Sequence, residues 1–343
     1  MMESGVDLST SYLGLALRNP IIASASPLSA DIDGIRRLED NGAGAIVLPS
    51  LFEEQLRQEQ HQAEMLARVG ADSSAEASSY FPAASARHGG ARAYLELIAK
   101  ARAAVDIPII ASLNGSTISG WLETAGQIEQ AGASALELNI YRIASSPSAE
   151  IGQPEADCVA LVKNLRAKID LPLAIKLQPY YSAFGALAHK LDAAGADGLV
   201  LFNRLYQPDI DLARLSWSHE LALSEAGEIR LGLLWIALLA GHLPRASLAA
   251  STGLETAEEA IKYLLAGADA VMTASALLRH GPGHLLVILA DLEDWLSRRG
   301  FTSVSAIKGL MKRPNPDAEA QERGDYIRSL TNYRGPYAIG RNF

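Results

Sequence analysis

The sequence carries a single cysteine, Cys158, in 343 residues. One thiol excludes an internal disulfide framework and fits a chain kept in a reducing cytoplasm. Basic residues are also in deficit: 30 Lys and Arg stand against 39 Asp and Glu, a formal net charge of −9. Phosphate backbones need a basic face, and no basic run breaks this acidic balance, so nucleic acid is not an expected partner. Long apolar runs are missing. "LGLLWIALLAGHL", from Leu231, is the most apolar stretch; it falls short of the roughly 20 residues that cross a bilayer and reads as a buried helix. The opening "MMESGVDLSTSYLGLALRNP" has neither the basic start nor the apolar core of a signal peptide. No His, Cys or acidic cluster has ligand spacing, so no metal is expected. His280 and His284 flank "GPG", which is expected to keep them off one helix face.

What is present is a two-step repeat. "NGAGAIVLP" from Asn41, "QAGASALELN" from Gln130, "AAGADGLVLF" from Ala193 and "LAGADAVMTA" from Leu265 each put Gly-Ala at a helix end, then a short apolar run. Glycine is favoured just past a helix C-terminus, and continuous apolar runs mark parallel strands buried on both faces. Between them lie "RNPIIASAS" from Arg18, "DIPIIASLN" from Asp106, "DLPLAIKLQ" from Asp170 and "RASLAASTG" from Arg245; three of these open near a proline, tolerated at a strand start. Helical stretches such as "GWLETAGQIEQ" separate most neighbours. Eight strands alternating with helices predict an α/β fold, a (βα)8 TIM barrel. An open doubly wound sheet is the weaker alternative, because no G-x-G-x-x-G follows the first strand. The barrel is expected to be one domain over residues 1–310, with 311–343 a surface arm or an oligomer contact such as that of a homodimer. Long connections after strands two and six, near 51–98 and 203–244, read as lids.

In such a barrel the site lies at the C-terminal strand ends. Those ends read Ser24 and Ser26, Pro49 and Ser50, Ser112 and Asn114, Asn139, Lys176 and Gln178, Asn203, Ser251 with Thr252 and Gly253, then Ala274 and Ser275. Any one Ser or Asn there can be a helix cap; the whole set, with a lysine in it, points to a ligand. "STGLETAEEA" and "ASALLRHGP" follow strands seven and eight as polar turns opening helices, where backbone N–H groups can hold a phosphate. On this reading a glutamate at Gly253 displaces the phosphate while the barrel still folds. Lys176 is a Schiff-base lysine, a fixed charge beside a flavin, or a structural ion pair. Cys158 reads as a packed hydrophobe, and Trp217 and Trp235 as core or lid packing.

These tips resemble the dihydroorotate dehydrogenase family of FMN-dependent barrels, and most closely its divergent dihydroorotate dehydrogenase-like subgroup. The resemblance runs from "DLSTSYLGLALRNPIIASASPLS" through "SLFEEQL", "ASLNG", "LELNIY", "IKLQPYYS" and "GLVLFNRLYQPDID" to "STGLETAEEAIKYLLAGADAVMTASALLRHGP". It implies an oxidoreductase with FMN as cofactor. It implies that Ser24, Ala25 and Ser26 form the first flavin loop, that Asn114 and Asn139 lie near the isoalloxazine and substrate, and that Lys176 meets the pyrimidine edge. Asn203 is implied on the substrate side, with Thr252, Gly253, Ala274 and Ser275 around the phosphate.

The departures fall on the reaction site. The family carries Asn-Leu-Ser-Cys-Pro-Asn, or a serine version, after strand four, with the Cys or Ser as base. This chain has "NIYRIA" there, placing Arg142 at the base and Ala144 at a substrate asparagine, while Pro49 replaces a flavin-side lysine. Arginine cannot take a proton at neutral pH. Tyr141 is a candidate proton donor and Arg142 a candidate carboxylate clamp; loop packing and a surface ion pair are the alternatives. The expected function is hydride transfer between FMN and a small carboxylate or cyclic amide. A flavin-free barrel using Lys176 as a Schiff base, or a non-catalytic flavin-binding protein, are the rivals.

Overall fold

The computed structural model describes residues 5–55, 90–115, 119–205, 207–313 and 318–332. Eight parallel strands form its centre: β1 (Ile21–Ala23), β2 (Ala45–Val47), β3 (Ile109–Gly115), β4 (Ala135–Ile140), β5 (Leu173–Leu177), β6 (Gly198–Leu201), β7 (Ser247–Ser251) and β8 (Ala270–Thr273). Each pairs with its sequence neighbour, and β8 returns to β1 through Val271↔Ile21. The sheet is therefore closed, with a rim strand, Leu51–Phe52, added beside the end of β3. The two families of repeats supply these eight strands alternately. Gly42, Gly132, Gly195 and Gly267 all have positive φ at the helix-to-strand turns, the backbone that the Gly-Ala pattern predicts.

Helices α1 (Ile32–Asp40), α2 (Gly90–Ala104), α3 (Ser119–Gln130), α4 (Gln153–Arg166), α5 (Phe184–Ala194), α6 (Ile229–Leu239) and α7 (Ala257–Ala266) follow the first seven strands in turn. A short α8 (Ser275–His280) and α9 (His284–Arg298) follow β8, and α10 (Ala318–Thr331) lies in the tail. Outward strand residues such as Leu136, Leu138, Leu173 and Ile175 pack under these helices in one large core. The run from Leu231 forms most of α6, which buries Gly232, Ile236, Ala237 and Leu239 and leaves Leu231 outside.

The barrel interior is narrow at its lower end, lined by Ala45, Ala135, Ala174, Ala249 and Ala270 with Ile22, Val47, Ile110, Val200 and Met272. An N-terminal hairpin, Thr10–Tyr12 paired with Leu15–Leu17, plugs that end with Tyr12, Leu13 and Leu17. It is fastened by Leu13 N to Ser247 Oγ at 3.1 Å and Thr10 Oγ1 to Asp269 O at 2.9 Å. With the floor closed, the opposite end is the open one.

Of the two long connections, residues 56–89 of the first lie outside the described residues. The second carries a hairpin, Asp209–Asp211 with Ser216–Ser218, then a strap over the rim. Trp217 sits exposed on that hairpin rather than in a core, because it projects from a separate two-stranded ribbon outside the barrel sheet. Trp235 does pack, with its ring 4.7 Å from Phe184.

Candidate active site

Side chains alternate along a strand, so polar residues continue the inward rows that begin with the alanines. Above Ile22 comes Ser24; above Ile110 come Ser112 and Asn114; above Ala135 come Glu137 and Asn139; above Ala174 come Lys176 and Gln178. The inward wall thus changes from apolar floor to polar rim within one or two residue pairs.

Lys176 is 7% exposed, and its Nζ donates to Glu137 Oε1 at 3.3 Å and Ser24 Oγ at 3.4 Å. An ammonium has three donors, so one remains for the cavity that Lys176 lines. Glu137 is wholly buried, and its second oxygen, Oε2, has no partner among the described residues. Asn203 Nδ2 donates to Asn139 Oδ1 at 2.8 Å, joining the β6 and β4 tips. Beside them Tyr94 locks the β3 tip: its hydroxyl accepts from Ser112 N at 2.7 Å and donates to Ser112 O at 3.2 Å. Burial raises the Tyr94 hydroxyl far above its usual range, so it stays neutral.

The cavity measures about 260 Å³ and is lined by Ser24, Ala25, Ser26, Lys176, Asn203, Thr252, Gly253, Ala274 and Ser275. These nine residues, far apart in sequence, are all expected site residues. A larger hollow of about 700 Å³ adjoins it across Ala25, Ser26 and Pro27, towards Pro49, Ser50 and Tyr94. Asn114 pairs in register with Asn139 but lines neither hollow. Tyr141 also lies off the cavity wall. The Arg142 guanidinium is on Asp157 Oδ2 at 2.5 Å, out on the half-exposed surface, and only its carbonyl touches the rim, accepting from Gln178 Nε2. Hydrogen bonds from Gln153 and then Arg142 hold the Asp157 carboxyl below its usual value, so Arg142 has a committed anion and is not poised over the cavity.

One expectation about the rim is corrected. The turn after β7 does not offer free helix amides: Thr256 and Glu259 form a capping box that closes the start of α7. The start of α8, in contrast, has Ala274 at its cap and no side-chain bond there. His280 and His284 do lie on two helices, at the end of α8 and the start of α9, and the Gly-Pro-Gly turn between them brings their ring centroids to 4.7 Å. Both rings are committed to Glu255, one to its carboxylate and one to its carbonyl, and no group of potential metal ligands occurs among the described residues. Burial raises the Glu255 carboxyl, but bonds from His280 and Arg279 outweigh it and leave it below the usual range. Cys158 is buried and its thiol is pushed up to about 12 by burial, which suits packing and not nucleophilic attack.

Sequence reasoning missed Glu137, Ser224 and Arg204. Ser224 lies on the strap, with its Oγ 2.9 Å from Ser275 Oγ and 3.4 Å from Gly253 N. Arg204 pairs with Glu228 at 2.8 Å and donates to Ala222 O, holding the strap against the cavity. Neither has a local signal. Glu137 has one: it is the only ionisable residue in its strand, two positions before Asn139 and hence on the same face.

A closed (βα)8 barrel with a plugged floor and a lysine-bearing polar cavity at the strand C-termini is a barrel enzyme. Residues 7–296 match the dihydroorotate dehydrogenase family. The "Dihydroorotate dehydrogenase B (NAD(+)), catalytic subunit" of Desulforudis audaxviator is 26% identical over 90% of this chain and 98% of its own. The protein of the same name from Pyrococcus abyssi is 27% identical over 88% and 98%, and that from Shouchella clausii 31% identical over 60% and 68%. The chain belongs to the dihydroorotate dehydrogenase family and is an oxidoreductase of that kind.

Proposed function

We propose that this chain is an FMN-dependent oxidoreductase acting on a small carboxylate or cyclic amide, and that it is not an efficient dihydroorotate dehydrogenase. The observation that carries the flavin reading is Lys176: a buried ammonium, held by Glu137 and Ser24, with a donor left for the cavity. The donor set fits the cofactor. One cation and the hydroxyl and amide groups of Ser24 and Asn203 suit the oxygen- and nitrogen-rich edge of a flavin ring. The Thr252–Gly253 turn and the uncapped start of α8 suit one phosphate. When bound, FMN supplies the hydride-accepting and hydride-donating centre. The chain's own part is to hold a positive charge beside the ring, to exclude water beneath it with the apolar floor, and to tie the β4 and β6 tips together through Asn139 and Asn203.

FMN is favoured over FAD or NAD because there is one cradle and no dinucleotide glycine fingerprint. The test is the absorption spectrum of the purified protein with mass analysis of the released cofactor. Flavin bands and a mass of FMN are expected; FAD would overturn the choice. The Schiff-base reading is disfavoured by the Glu137 ion pair, since a paired ammonium is not a nucleophile. Borohydride trapping of a carbonyl ligand on Lys176 would revive it.

The substrate reading rests on the loop after β4. The relatives are named for dihydroorotate, but this chain has Arg142 where the family places its base, and that guanidinium is engaged by Asp157. A different proton donor or acceptor, and so a different substrate, is the consequence.

A further inference from the structure

Glu137 is a buried carboxylate of the barrel interior for which the proposed chemistry uses only its hold on Lys176. It has no exposed surface, it lies two residues above Ala135, and Ala174, Val200 and Ala249 occupy the same floor. One carboxylate oxygen is engaged by Lys176; the other has no partner among the described residues, and neither has the hydroxyl of Tyr12, which rises from the plug. Burial first and then the charge on Glu137 raise the Tyr12 hydroxyl well above its usual range. The carboxylate is therefore felt on both sides, by the lysine above it and the phenol below.

Packing alone does not explain such a group. A buried ion pair with an unsatisfied oxygen contributes no more to stability than apolar side chains of similar volume. What the pair does provide is a lysine whose charge is partly cancelled from beneath, while its free side lines the cavity. We infer that Glu137 is a positioning residue that fixes Lys176 and sets how much positive charge it presents to the flavin. This rests on the FMN reading of the previous section. The anionic reduced flavin gains more from an uncancelled cation than the neutral oxidised flavin does. Glu137 therefore holds the potential of the site down, and its removal raises it.

The experiment is a dye-equilibrated reduction of the FMN-loaded full chain, wild type against three variants. Glu137→Gln should favour reduced over oxidised FMN by about tenfold relative to wild type, which is about 30 mV for a two-electron couple. Lys176→Met leaves the carboxylate alone and should shift the potential in the opposite direction. The double variant Glu137→Leu with Lys176→Met removes both charges and should lie above Lys176→Met and below wild type. That comparison keeps the test intact if Glu137→Gln does not fold. Glu137→Asp should return the potential towards wild type. A potential that is unchanged or lower when the carboxylate is removed, in either background, overturns the inference while leaving the FMN reading standing. A wild-type protein that takes up no FMN overturns both.

Discussion

Gly253 has φ +77° and follows Thr252 at φ +81°, so two successive residues at the end of β7 are left-handed. A β-branched residue is rarely found there. Thr252 is held in place because its Oγ1 donates to Phe202 O at 3.0 Å and its carbonyl accepts from Tyr263 OH at 3.0 Å. A Cβ at Gly253 would come within 2.8 Å of Ile229 Cγ2 and 2.9 Å of Ile229 N. That direction is towards the first turn of α6, which corrects the expectation that a side chain there meets only a phosphate. Gly253→Ala should therefore destabilise the fold by on the order of 1–3 kcal/mol, with loss of cofactor as a result of displacing α6. Urea unfolding of the apoprotein checks this; an alanine variant as stable as wild type but unable to hold FMN would show that a side chain there meets the phosphate and not α6. The direction of that Cβ is not legible in "STG", because it depends on where a helix whose first turn lies more than twenty residues earlier is docked.

At the scale of elements, the strap from Leu221 to Glu225 is the part of the site that local sequence could not announce. Arg279 on α8 donates to Ser224 O at 3.0 Å and pairs with Glu255, while Arg204 donates to Ala222 O. Arg279→Ala should raise amide exchange over the strap by roughly five- to tenfold, the effect of one net hydrogen bond of about 1 kcal/mol. Unaltered protection in a hydrogen-exchange experiment would show that Arg204 alone suffices. The same fastening carries a pH dependence. The Glu255 carboxyl is depressed in the folded state, so its contribution is complete above the ordinary glutamate value of 4.5 and is lost as pH falls through the lower folded value. Strap protection, corrected for intrinsic exchange, should be flat from neutral pH down to that range and fall below it. The eight strands, by contrast, were legible, because the Gly-Ala and proline repeats each report a purely local demand of a parallel strand. Ser224 and the two arginines answer to partners 18 to 55 residues away, and no periodicity encodes such pairs.

For the whole molecule, family membership and local chemistry pull in different directions over dihydroorotate. The barrel follows the family plan, and the nine expected residues line one cavity; both were readable because strand tips in a closed barrel must converge. The loop after β4 does not follow it. A general base must reach the proton and be able to accept it. Arg142 fails on both counts, being a guanidinium and being bound to Asp157 away from the cavity. Ala144 and Pro49 remove two further polar groups that the resemblance places at the site. Ser145 and Ser146 lie close by in sequence, but both are exposed, and Ser146 Oγ is bonded to Ser148 Oγ at 2.9 Å. The expected outcome is that FMN-loaded protein, given dihydroorotate and a generic electron acceptor, turns over far more slowly than about 1 s⁻¹, an ordinary enzymatic rate. Turnover at or above that rate would sink the prediction, and Ser145→Ala, Ser146→Ala and Tyr141→Phe would then show which hydroxyl takes the proton. If none of the three removed it, the base would have to come from outside the β4 loop, and the pH profile of the rate would report its ionisation.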